Sequence, residues 1–134
     1  MTDYEQVVDT FFATAQYREE IPDELLKKWF KMAVNDFSHD IFPLIYNPVT
    51  QMFDNETLAF KKTSEIIKDM LGKMIYLIHI KRQRSRINQL QNIVGRDIAL
   101  NSTAQAKAAM RDEYLDITYE IEQLRFKLKQ HAFN

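Results

Sequence analysis

The chain has 134 residues, 46% of them hydrophobic and 28% charged, with a formal net charge of −1. That size suits one domain with a core of its own, and the balance excludes both a disordered tail and a membrane protein. The near-neutral charge gives no general attraction to nucleic acid, so any such binding has to rest on a local patch.

With only two glycines and three prolines, the chain lacks the turn punctuation of a sheet protein, which favours a few long helices. The absence of cysteine excludes disulfides, thiolate metal sites and cysteine nucleophiles. Met1 to Asp9 is polar and acidic, with none of the apolar run of a secretory signal. The longest strongly apolar stretch, Met70 to Ile80, is interrupted by Lys73 and His79 and is too short to cross a bilayer. Synthesis in the cytoplasm is expected.

A first helix is expected from about Asp3 to Arg18. Thr2 or Asp3 can cap it, and Val7, Val8, Phe11, Phe12 and Ala15 recur at helical spacing. It stops before Ile21-Pro22, because a residue preceding proline is pushed out of the α region. Pro22 opens the second helix, and Asp23 and Glu24 set negative charge on its positive end. Leu25, Leu26, Trp29, Ala33, Val34 and Phe37 form one apolar face, which reaches towards Ile41 before Phe42-Pro43 ends or kinks the helix. Phe30, at the edge of that face, is a candidate exposed anchor for a partner. From Tyr46 to Thr63 the turn signals Asn47-Pro48 and Asp54-Asn55 predict a long loop able to carry a small hairpin. A loop of that length in a compact domain usually has a task, here partner binding.

The third helix is expected from Thr63 or Ser64 to Val94, with Gly95 as the residue that stops it. Gly72 inside it marks either the close approach of a neighbouring helix or a tolerated defect. A fourth helix, capped by Asn101, Ser102 or Thr103, runs to about Gln130. Its apolar positions Met110, Tyr114, Ile117, Ile121, Leu124 and Leu128 alternate steps of four and three, the spacing of a coiled-coil seam. At 1.5 Å per residue each of these two helices is about 40–45 Å long. The expected architecture is a single all-α domain, a small helical bundle with a long C-terminal antiparallel hairpin and a long central loop. Helices of that length outrun the cover the first two can give, so Tyr114, Ile121 and Leu128 are expected to stay partly exposed as a subunit interface.

The run Lys81, Arg82, Arg84 and Arg86 is the most conspicuous charged feature. It reads as a phosphate-contacting patch facing DNA, as one side of intramolecular or inter-subunit ion pairs, or as a plain solvated face. A hairpin turning near Ile98 would set Arg82 and Arg86 opposite Asp112 and Asp116. His39, His79 and His131 lie on separate segments without metal-ligand spacing, so no metal or cofactor is expected. Glu19-Glu20 and Asp23-Glu24 are better explained as loop and helix-start charges than as a catalytic pair. Glycine-rich phosphate loops and the nucleophile elbow are both absent. Nothing in the sequence suggests an enzyme.

The series Ile21-Pro22-x-x-Leu25-x-x-x-Trp29-x-x-x-Ala33 opens the second helix, followed by a loop and a long hairpin. Together with Gly95-Arg96-Asp97-Ile98 and the basic end Lys127 to Phe133, it resembles the small head–tail connector (adaptor) proteins of tailed phages. The resemblance covers most of the chain in architecture and short patches in sequence. It implies a virion protein that forms a homo-oligomeric ring, dodecameric in that family, beneath the portal. Double-stranded DNA would pass through the lumen, and the next neck or tail protein would bind the other face. It also implies that the segment Gln130, His131, Ala132, Phe133 and Asn134 docks into the portal. The central loop departs from the shortest adaptors. The rival reading is a small helical regulatory or chaperone-like module that captures a partner helix.

Overall fold

The computed structural model describes the backbone of residues 1–15, 21–94 and 96–132, and their side chains except at 87–107 and 131–132. The fold is all-α. Among the described residues there are four helices and one two-stranded antiparallel sheet.

Helix α1 spans Asp3–Ala15. Thr2 caps it, its hydroxyl oxygen accepting the Glu5 N–H at 3.2 Å and so satisfying one of the free donors of the first turn. Tyr4, Val7, Phe11 and Ala15 are buried, a spacing of three and four that sets them on one face. The expected extension to Arg18 falls on residues 16–20, outside the described residues. Helix α2 spans Asp23–Asp40, with Pro22 at its N-cap and Asp23 and Glu24 in its first turn. It ends as the Ile41 N–H turns back to the Phe37 carbonyl at 2.9 Å and Ser38 Oγ accepts the Leu44 N–H at 3.0 Å.

Tyr46–Asn47 (β1) and Met52–Phe53 (β2) pair as a small hairpin, Tyr46 opposite Phe53 and Asn47 opposite Met52. Asn47 Oδ1 accepts the Val49 N–H at 2.9 Å, and Gln51 takes the left-handed conformation at φ 58°. The hairpin is fastened to α1. The buried carboxylate of Asp3 accepts the Phe53 N–H at 2.8 Å and lies 3.2 Å from Lys68 Nζ. A second tie joins the Tyr4 N–H to the Gln51 carbonyl.

Helix α3 spans Leu58–Val94 and α4 spans Arg96–Ala132, each 37 residues, about 55 Å at 1.5 Å per residue. Both start earlier than expected. Thr57 caps α3, accepting the Phe60 N–H at 3.3 Å, and α4 is already helical where Asn101 to Thr103 read as a cap. Gly95 itself lies outside the described residues. The two helices run in opposite directions against each other: Lys73 reaches Glu120, the Tyr76 hydroxyl donates to Glu113 at 2.9 Å, and Lys81 sits over the Tyr114 ring.

Helix α3 is the spine, and α1, α2 and α4 all pack on it. The α1 contact is the tightest. A Cβ on Gly72 would stand 2.6 Å from Thr10 Cγ2 and 3.1 Å from the Phe11 backbone nitrogen. The glycine is therefore the point of closest approach between the helices, and the tolerated-defect reading is set aside. Around it Phe11 meets Phe12, Trp29, Tyr76 and His79 at centroid distances of 5.2–6.4 Å, within the range of favourable ring contacts.

Candidate functional site

The seam of α4 packs as its spacing requires, but not with the exposure expected of it. Ile121 and Leu128 are only 5% and 1% exposed, and both belong to the same buried cluster as Phe37, Phe60 and Ile67. Tyr114 is half-buried beneath Lys81. Ile121 and Leu128 are thus spent on the chain's own core, and of the three only Tyr114 keeps the partial exposure expected. Two features account for the added cover. Helix α3 begins at Leu58 and so has an extra turn and a half, and the end of α4 is drawn to the end of α2. There Asp40 stands 2.5 Å from Arg125 Nε, close but not aligned as a hydrogen bond, and 3.9 Å from Lys129 Nζ.

What α4 leaves outside is a different stripe. Leu115, Tyr119 and Phe126 are 57%, 65% and 64% exposed. At 100° per residue these positions fall within about 40° of one another, on the side away from the seam. Glu122 lies on the same stripe and pairs with Arg125. The signal was present in the sequence as a second set of apolar residues at spacings of four and seven. It is masked there by the stronger seam beside it.

The basic run divides between two neighbours. Lys81 turns to α4 and its Nζ lies 5.9 Å from the Tyr114 ring centroid, whereas Arg82 turns to α2 with its guanidinium carbon 5.8 Å from the Trp29 ring. Among the described residues neither Arg82 nor Arg86 forms an ion pair with Asp112 or Asp116. Arg82 lies on the side of α3 that meets α2 and not on the side that meets α4. Arg84 and Arg86 are exposed. Arg82, Gln83 and Arg86 instead wall a cleft of about 90 Å³ between α3 and the start of α2, together with Ile21, Pro22, Leu25, Trp29 and His79. His79 is buried against Phe11, Trp29 and Tyr76.

Between α1, α3 and α4 a cleft of about 370 Å³ has the reverse character, lined by Glu113, Asp116 and Glu120 with Lys73 and Tyr76. A third groove, of about 490 Å³, runs between α2 and the hairpin over Tyr4, Phe30, Val34, Leu44 and Tyr46, with Lys27 and Lys31 beside it. Phe30 is no exposed anchor. It is buried at 3% exposure, edge-on to Tyr4 and Tyr46. Burial raises the Tyr46 phenol above its ordinary pKa, with Asp3 adding to the effect, and burial with Asp23 does the same to Tyr4. The Tyr4 hydroxyl donates to Asp23 at 3.1 Å.

No protein-family model, curated protein or solved structure matches the chain.

Of the expected docking tail, Gln130 is exposed, and His131 and Ala132 continue the backbone of α4 without described side chains. Phe133 and Asn134 lie outside the described residues. Among the described residues no three His, Asp or Glu side chains are grouped to hold a metal ion, and no helix is long and apolar enough to cross a membrane.

Proposed function

We propose that this chain is a structural assembly protein, a head–tail connector whose copies associate through the outer face of α4 into a ring beneath a portal. The observation that carries the reading is the exposed row Leu115, Tyr119 and Phe126 on a helix whose opposite face buries Ile117, Ile121 and Leu128 in the core. Single exposed apolar residues are ordinary, but three aligned on one helix face, two of them aromatic, have the composition of an interface centre. Contact between this row and a different surface of the next copy propagates, and it closes into a ring when the rotation allows. In this reading the lumen passes double-stranded DNA, and the segment Gln130 to Asn134 engages the portal.

Light scattering on the chain alone and mixed with portal rings tests the proposal. Ring-sized species in either sample support it. A monomer in both, with no chain retained on the portal, overturns it. A monomer that instead binds an isolated amphipathic helix through the same face would be the regulatory module.

A further inference from the structure

The cleft between α3 and the start of α2 is set apart from the outer face of α4 and has its own chemistry. Its wall contains Arg82 and Arg86, one helical turn apart on the same side of α3, and, among the described residues, no acidic side chain. Asp23, the nearest carboxylate along α2, is engaged by Lys27 at 3.2 Å and by the Tyr4 hydroxyl. Two like charges at this spacing disfavour the helix unless something offsets them, and among the described residues no carboxylate does. Arg82 is also held in place, its guanidinium over the Trp29 ring, which orients the fork of donors that makes arginine suited to oxyanions. The cleft, of about 90 Å³, has room for a phosphate-sized group.

We infer that this cleft is a binding site for a single phosphate-type oxyanion, gripped by Arg82 and Arg86 with Gln83 beside them. The group is either a free oxyanion or one phosphodiester of a nucleic-acid backbone. The site is independent of the α4 docking surface, so either can fail without the other.

Trp29 is the only tryptophan and reports on the site directly, because an anion that pulls on Arg82 changes the contact with its ring. Inorganic phosphate should give a saturable change in Trp29 emission that sodium chloride at matched ionic strength does not reproduce. Arg86→Gln should weaken half-saturation by about tenfold or more. Arg86→Lys, which keeps the charge but loses the fork, should fall between the two. Arg84→Gln removes the same charge from the same helix outside the cleft and should leave the response unchanged. A short DNA duplex that displaces phosphate, with a salt slope reduced by about one in Arg86→Gln, assigns the site to a nucleic-acid backbone. A duplex that does not compete assigns it to a free oxyanion. The inference is overturned if chloride reproduces the emission change, or if Arg86→Gln, Arg84→Gln and the wild type titrate alike with unchanged far-ultraviolet spectra.

Discussion

Helices α1 and α4 pack on the same spine in opposite styles. Helix α1 comes so close that α3 carries a glycine where they touch, and none of its large apolar side chains is exposed. Helix α4 meets the spine through ordinary seam positions, several of them supported by polar links such as Tyr76 to Glu113 and Lys73 to Glu120. It leaves Leu115, Tyr119 and Phe126 in solvent. The difference separates two uses of apolar residues. On α1 they hold the fold, and on the outer side of α4 they are surplus to it.

The contrast is sharpest in a pair of aromatic truncations. Phe11→Ala removes a fully buried ring at the meeting of α1, α2 and α3, and should cost about 3–5 kcal/mol in urea unfolding. Phe126→Ala should stay within about 0.5 kcal/mol of the wild type. Equal losses would mean that the outer face of α4 is as structural as the core.

The close approach of α1 is broken next. In an open helix Gly72→Ala would stabilise by up to ~1 kcal/mol. Here the added methyl meets Thr10 and the Phe11 backbone, an overpacking of the kind that costs about 1–3 kcal/mol. A net destabilisation of about 1–2 kcal/mol is expected, read as a lowered denaturant midpoint. An increase would show that α1 can back away from α3.

A smaller effect, again confined to the α1 side, is expected at alkaline pH. Tyr4 and Tyr46 have raised phenol pKa values in the folded state, so above the ordinary tyrosine value near 10 the unfolded chain gives up these protons first. The stability they contribute is complete below about pH 10 and is lost as pH rises towards the folded-state values. Tyrosinate absorbance should therefore show these two phenols ionising late, together with unfolding. If Tyr4→Phe and Tyr46→Phe leave the alkaline loss of stability unchanged, Tyr4 and Tyr46 are not held as described.

Much of this contrast was legible from the residues, and the parts that were not have physical reasons. The Thr2 cap, the proline that opens α2 and the seam of α4 are local signals, and each appears where its spacing puts it. The start of α4 misled because Asn101-Ser102-Thr103 has the chemistry of a cap. A cap preference of about 1 kcal/mol is easily overridden where a helix is already propagating. The start of α3 was hidden by Asp54-Asn55: Asn55 serves the hairpin, bonding the Ile45 N–H and the Pro43 carbonyl, and Thr57 takes the cap. Arg82 meets Trp29 on α2 and not the acidic residues of α4, a choice of helix side that spacing along α3 alone does not decide. The earlier start of α3 adds cover over the end of α4. The cleft around Arg82 joins residues more than fifty positions apart, and no periodicity in one helix reports such a contact.

The most direct test of the account is sedimentation velocity over a range of concentrations, comparing the wild type with Leu115→Ser/Tyr119→Ser/Phe126→Ser. The account predicts concentration-dependent association in the wild type. It also predicts a well-folded, strictly monomeric triple variant with an unchanged far-ultraviolet spectrum and denaturant midpoint. Association that persists undiminished in the triple variant would contradict the claim that the outer face of α4 is the assembly surface.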